Sequence, residues 1–276
     1  MNLKTLGWND HYKTLFSEYN SDRYIPGRIS IEHKNSYRVL TEYGELVAEI
    51  TGRFNFKADS RADYPAVGDW VVLKPYLNQK KARLHAILNR RSKFTRKMAG
   101  KKTDEQILAA NIDTVFIVSS LNSDFNVRRL ERYLTQVWDS GAKPVFILNK
   151  SDLCEDIDGK VKEVEKIAFG VPVHSISCLE NRGIDKIKGY LEVGETVALI
   201  GSSGVGKSSI INILMGEEIQ KTDYIRDDGK GRHTTTYREL ILLPSGAIVV
   251  DTPGMRELQL WNDGEGFNGT FADIEE

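Results

Sequence analysis

Val197-Ala198-Leu199-Ile200 leads into Gly201-Ser202-Ser203-Gly204-Val205-Gly206-Lys207-Ser208, and an apolar-periodic run continues to Met215. The middle segment fits G-x-x-x-x-G-K-[ST], with a strand pattern entering it and a helix pattern leaving it. Its glycines let consecutive backbone N–H groups wrap an anion, and the N-terminus of the following helix adds positive dipole. Residues Gly201, Ser202, Ser203, Gly204, Val205, Gly206, Lys207, Ser208 and Ser209 are therefore expected to hold nucleotide phosphates. Lys207 is expected on the β- and γ-phosphates as a catalytic charge, and the Ser208 hydroxyl on Mg²⁺.

Working outward from that loop, Asp251-Thr252-Pro253-Gly254 ends the apolar strand Ala247-Ile248-Val249-Val250. A carboxylate at that strand tip suits Mg²⁺, and the Gly254 N–H suits the γ-phosphate. Between the two lies Gly229-Lys230-Gly231-Arg232-His233-Thr234-Thr235-Thr236. A threonine there is expected to reach Mg²⁺ and close over the γ-phosphate, with Thr235 preferred to Thr234. Upstream, Asn149-Lys150-Ser151-Asp152 follows the strand Pro144–Leu148. The Asp152 carboxylate can accept two hydrogen bonds from guanine N1 and N2, which adenine cannot donate, so it selects against ATP. Asn149 is expected near the base edge, the Lys150 stem on the base face, and Ser175-Ile176-Ser177 as the loop touching guanine O6.

These pieces come in an unusual order. Most GTP-binding proteins place the phosphate loop first and the Asn-Lys-x-Asp reader late. Here the reader at 149–152 precedes the loop at 201–208, and Asp251 comes last. The site is complete and the chain around it reads as circularly permuted.

The bulk composition, 40% hydrophobic and 28% charged, is that of a soluble globular protein, and 276 residues suffice for one large domain or two ordinary ones. No apolar run reaches the roughly 18–20 residues of a membrane span, and residues Met1 to Trp8 do not read as a secretory signal. Cys154 and Cys178 are too few for a disulfide framework, so two free thiols and a cytoplasmic location are expected. The net charge of −1 conceals an asymmetry, since residues 1–102 carry 20 Lys/Arg against 10 Asp/Glu and the remainder is acidic. A basic module that meets a polyanion, joined to a separate engine, follows from that division.

Residues 24–90 read as short alternating strands punctuated by Gly27, Gly44, Gly52 and Gly68. Five strands in that length fit a small closed barrel, an OB-fold or an SH3-like barrel. Residues 91–112 read as a basic linker, and Arg90, Arg91, Lys93, Arg96, Lys97, Lys101 and Lys102 are expected to contact phosphates. Residues 1–23 form an N-terminal extension. From residue 113 to 276, strands at Asp113–Ser119, Pro144–Leu148, Val171–Ile176, Thr196–Ile200 and Ala247–Val250 alternate with amphipathic helices. The fold class is thus α/β, a parallel sheet covered on both faces, preceded by an all-β barrel.

With reader, Ser-Ile-Ser loop, phosphate loop, Gly-Arg-His-Thr-Thr-Thr loop and Asp-Thr-Pro-Gly in this order behind a barrel, residues 24–274 resemble the ribosome small-subunit-dependent GTPase A family (RsgA, also called YjeQ). The resemblance implies GTP hydrolysis to GDP, stimulated by the small ribosomal subunit late in its maturation, with the barrel on ribosomal RNA. It also implies a further zinc-binding module with clustered Cys and His. No such cluster occurs here, so truncation is expected and zinc is assigned to no residue. Met255 occupies the position after Gly254 where many small GTPases carry a water-orienting Gln, so slow intrinsic turnover is expected. His233 is the candidate for orienting water. Gly204 stands where potassium-activated relatives have Asn, so potassium is not expected as an activator, and the chain is expected to be monomeric. Two other readings stay open at this point, an RNA-binding module that uses nucleotide only as a switch and an ATP-dependent enzyme.

Overall fold

Alternation along residues 25–50 and 70–87 builds β1 (Ile25–Glu32), β2 (Tyr37–Thr41), β3 (Gly44–Ile50), β4 (Trp70–Tyr76) and β5 (Lys81–Ile87). The computed structural model describes residues 1–19, 22–33, 36–97, 105–216 and 239–251. The five strands pair in the order β1-β2-β3-β5-β4, and β4 closes back onto β1. β3 and β5 are parallel neighbours, joined through a crossover that contains the short helix α2 (Gly52–Lys57). Consecutive hairpins alone leave only antiparallel neighbours, so this Greek-key closure matches the OB-like alternative and not the SH3-like one. Ile29, Val39, Leu46, Val71, Leu73 and Leu84 fill the barrel. The absent side chain of Gly27 is part of that packing, since a Cβ there would lie 2.6 Å from Val39 and 2.7 Å from Leu73.

The basic stretch after the barrel is itself structured. β6 (Lys93–Lys97) and β7 (Glu105–Ala110) form an antiparallel ribbon, with Phe94 and Leu108 buried in the same core as Trp70 and Val115. Ahead of the barrel, a 3₁₀ turn (Leu3–Leu6) and helix α1 (Asp10–Phe16) place Leu6 and Tyr12 in that core too.

The second half carries β8 (Thr114–Ser120), α3 (Val127–Ser140), β9 (Lys143–Asn149), α4 (Ile157–Ile167), β10 (Val173–Ser175), α5 (Ile184–Lys188), β11 (Thr196–Ile200), α6 (Lys207–Met215), β12 (Glu239–Leu242) and β13 (Ile248–Asp251). Strands β10-β9-β8-β11-β13 are parallel neighbours. Successive strand residues face opposite sides. Val115, Ile117, Phe146 and Leu148 pack with Leu130, Leu134 and Val164 of α3 and α4, while Phe116, Val118, Val145 and Ile147 pack with Ile184, Ile187 and Ile210 of α5 and α6. The sequence pattern implies a parallel sheet, and the structure departs from it at one edge. β12 runs antiparallel to β13 at its edge and also bridges to β1 through Ile31 and Glu239. The barrel and the α/β half therefore share one hydrogen-bonded sheet.

One of the arginines expected on phosphates is committed inside the protein, and a second is paired at its surface. Arg90 makes paired hydrogen bonds to the fully buried Asp69, Nε to Oδ1 at 2.8 Å and Nη2 to Oδ2 at 2.7 Å, and also donates to the carbonyls of Ala62 and Tyr64. Burial raises the Asp69 pKa, and the Arg90 bonds oppose that rise. Arg91 pairs with Asp113 at 3.3 Å. Replacing Asp69 with Ala strands the Arg90 charge, and a urea unfolding curve should show a loss of about 3–5 kcal/mol; a loss under about 1 kcal/mol would mean that the pair is not structural.

Candidate nucleotide-binding site

The sequence-expected pieces meet at the carboxyl ends of the parallel strands, the edge where open α/β sheets bind ligands. β9 ends at Asn149, β10 at Ser175, β11 runs into Gly201, and β13 ends at Asp251.

The phosphate loop takes its shape from left-handed glycines, with φ of 144° at Gly201, 78° at Gly204 and 102° at Gly206. Substitution is blocked as well as strained at two of them. A Cβ at Gly201 would lie 2.2 Å from the Val118 carbonyl oxygen, and one at Gly206 would lie 2.1 Å from Asn149 Nδ2. The Lys207 side chain folds back over the loop, its Nζ donating to the carbonyls of Gly201 and Ser202 at 2.6 Å each. Lys207 is thus nearly buried with its ammonium inside the cradle, while Ser203, Gly204, Ser208 and Ser209 are exposed along the rim. Val205 is buried in the core, so only its backbone remains for phosphate, and its carbonyl is already used by Asn149.

Asn149 differs from the sequence expectation that it approaches the base edge. Its side chain is buried, Nδ2 donating to the Val205 carbonyl at 2.9 Å and Oδ1 accepting the Cys178 N–H at 3.2 Å. Both ends of the amide are therefore used to tie the phosphate loop and the 175–178 segment to the reader strand. Lys150 adopts φ 61°, turning the chain into a 3₁₀ turn over Ser151–Leu153 that carries Asp152. The Ser177 hydroxyl donates to Asp152 Oδ1 and accepts the Glu180 N–H at 3.1 Å. That leaves the carboxylate oriented, with oxygen capacity remaining for guanine N–H donors. Ser151 is buried, with its N–H on the Ile176 carbonyl and its hydroxyl accepting from Arg182, so it braces the reader. Ser175 parts company with Ser177. It lines a separate cavity of about 480 Å³ with Ser151, Asp156, Arg182 and Lys186.

Cys178, expected as a free thiol, directly follows Ser175-Ile176-Ser177 and is tied into the site by its backbone N–H on Asn149. Burial pushes its thiol up to about 11, helped by the Asp152 charge and opposed by Asn149, so it stays neutral at pH 7. His233, Thr235, Gly254 and Met255 lie outside the described residues, and Asp251 is placed by its backbone at the end of β13.

The family profile described as RsgA GTPase matches residues 87–261. The chain belongs to the RsgA GTPase family. It is a GTP-hydrolysing enzyme with a circularly permuted nucleotide domain. "Small ribosomal subunit biogenesis GTPase RsgA 2" of Lactiplantibacillus plantarum is 51% identical over 251 residues, which cover 91% of this chain and 70% of that protein. The RsgA protein of Opitutus terrae, also named a small ribosomal subunit biogenesis GTPase, is 45% identical over 99% of this chain and 77% of its own length. Among solved structures, YjeQ from Thermotoga maritima superposes with a TM-score of 0.66 at 26% identity, covering 86% of this chain and 77% of that one. YloQ, described as a circularly permuted GTPase, gives 0.59 at 26% identity, over 85% of this chain and 73% of its own. These likenesses confirm the permuted RsgA fold that the motif order implies.

The oriented Asp152 carboxylate yields a direct test of base recognition. Asp152→Asn should weaken GTP binding by about 10²–10³-fold and shift preference toward xanthosine triphosphate, read by competition against a fluorescent nucleotide. Unchanged GTP affinity would remove Asp152 from the base site.

Proposed function

We propose that this GTPase acts late in the maturation of the small ribosomal subunit, binds its rRNA, and turns over GTP slowly until the subunit is engaged. The observation that carries the nucleotide part is the Asn149 amide, which holds reader and phosphate loop in one site although they are 52 residues apart in the reverse of the usual order. The subunit assignment is supported by the names of the relatives and by the basic first third of the chain. On the barrel, Arg53, Lys57, Arg61, Lys80, Lys81 and Arg83 are exposed and suit a phosphate-rich partner.

In this reading Asp152, Lys150 and Ser177 form the guanine side, with Asn149 and Ser151 bracing it and Ser175 outside it. Gly201 to Ser209 and Gly254 hold the phosphates. The glycine cradle and the buried Lys207 ammonium fit a polyphosphate, whose oxygens would take over Lys207 from the loop carbonyls. Ser208, Thr235 and Asp251 would hold Mg²⁺, which offsets negative charge on the β- and γ-phosphates when bound. Ser208 is exposed at the start of α6, on the same sheet edge as the end of β13, so the donor set fits a hard cation. Zinc is assigned to no residue of this site. The protein works as a cytoplasmic monomer. No helix among the described residues is long and apolar enough to cross a membrane.

Hydrolysis needs a water placed in line with the γ-phosphorus. Met255 has no polar group for that task, and His233 can accept or orient a proton from the water. Changing His233 to Ala should leave GTP affinity unchanged and lower subunit-stimulated phosphate release by about 10²-fold; undiminished release would remove His233 from the chemistry. Sedimentation with small subunits tests the partner. More protein should co-sediment under a non-hydrolysable GTP analogue than under GDP, and equal or absent association sinks the proposal.

A further inference from the structure

Strand β1 belongs to the barrel, yet it touches the α/β half at two places. The Arg28 guanidinium is buried and donates to Thr196 Oγ1 at 2.9 Å, at the first residue of β11. Five residues further on, β11 delivers Gly201 of the phosphate loop. Three residues along β1, Ile31 pairs with Glu239 of β12, and Glu239 pairs in turn with Asp251 of β13. One row of the sheet thus runs from the barrel to the backbone of the proposed Mg²⁺ carboxylate. Between the two contacts the pairing of β1 with β2 shifts register between Ile29 and Ile31, a bulge at which the strand changes direction and partner.

A relay needs a second arrangement as well as a connection. Two observations mark this junction as the place for one. The Arg28 end is bordered by a cavity of about 710 Å³, lined among others by Lys4, Trp8, Tyr12, Glu195 and Thr196. The Trp70 indole, whose ring centroid lies 5.7 Å from Arg28 Cζ, has its Nε1–H buried with no acceptor. Leaving a buried donor unmade is costly, so the present packing does not satisfy every group at this junction.

We infer that the Arg28–Thr196 bond couples the barrel to the α/β half, and that β1 transmits occupancy of the barrel to the strands ending at the phosphate loop and Asp251. This rests on the small-subunit reading above for the identity of the barrel's partner. By linkage the effect is reciprocal: nucleotide state changes barrel affinity by the factor by which the partner changes nucleotide affinity.

Thr196→Val removes the acceptor and keeps the shape, whereas Thr196→Ser keeps the hydroxyl. Basal GTP turnover, GDP affinity and melting temperature are to be measured for both, and turnover again with saturating small subunits. Thr196→Val should retain basal turnover within about twofold and lose stimulation by about tenfold or more, with Thr196→Ser stimulated like the wild type. Full stimulation of Thr196→Val overturns the inference, and so does a parallel fall of basal and stimulated rates, which is what a merely structural role would give. Hydrogen exchange on the unaltered protein provides a readout independent of the variants. Exchange at residues 28–32 and 239–242 should differ between the GTP-analogue and GDP complexes, while residues 44–50 stay unchanged, and identical exchange in both complexes overturns the relay. A wild-type enzyme that small subunits do not stimulate refutes the partner instead, and the exchange difference then decides the relay alone.

Discussion

The Arg28 guanidinium is the point on which four segments converge. It donates to the Leu6 carbonyl of the N-terminal extension, the Gly68 carbonyl of the barrel, the Asn111 carbonyl after the ribbon, and Thr196 of the sheet. All four acceptors are neutral. A buried cation without a carboxylate in contact is tolerable only when its N–H groups are met, and here that condition dictates where three loops must run. Burial also lowers its pKa, with Tyr12, Asp113 and Asp69 nearby acting in the opposite sense. The Gly7 and Gly194 backbones approach closely beside it, since a Cβ on Gly7 would lie 2.7 Å from the Gly194 oxygen and 2.9 Å from Arg28 Nη1. Such a node fixes geometry more than it adds stability, because every donor that is met replaces one that water would have met.

Permutation leaves the site intact because the site depends on strand ends and not on chain order. β9, β10, β11 and β13 are parallel and deliver their carboxyl ends to one edge, so the reader can precede the phosphate loop without altering their distance. Side-chain ties restore what covalent order does not supply. Asn149 spans 56 residues to Val205 and 29 to Cys178, and Ser177 reaches 25 residues back to Asp152. The bracing is polar and directional, as expected where loops must hold a ligand within a few tenths of an ångström.

The barrel strands and the five parallel strands were legible because their patterns come from burial on one face or both, which residue type records directly. The unread parts have physical reasons. In the ribbon, Lys93, Arg96 and Lys97 mask the alternation around the buried Phe94. β12 is four residues of Glu-Leu-Ile-Leu, too short for a period and placed by its neighbours on either side. Helices α2 and α5, of six and five residues, are below the length at which periodicity speaks. Asn149 read as a base contact because a motif names a residue without giving the direction of its side chain. The arrangement of reader, loop and strand tips followed from motif order alone, whereas the bonds among them required coordinates.

Charge counting shows the same boundary between composition and contact. The excess of basic residues in the first 102 suggests a polyanion partner, but composition does not distinguish cations that face water from those the fold consumes. Arg28 and Arg90 are consumed, and Arg91 is shared with Asp113. Only charges that reach phosphates release counterions, so the number of contacts is smaller than the charge balance implies. The consumed arginines gather where extension, barrel, ribbon and sheet meet, whereas Arg53, Lys57, Arg61, Lys80 and Lys81 lie exposed on the barrel. The same residue type therefore does two jobs in this chain. Inside, arginine satisfies backbone carbonyls that no other side chain could reach in such number; outside, it leaves positive charge on the barrel surface.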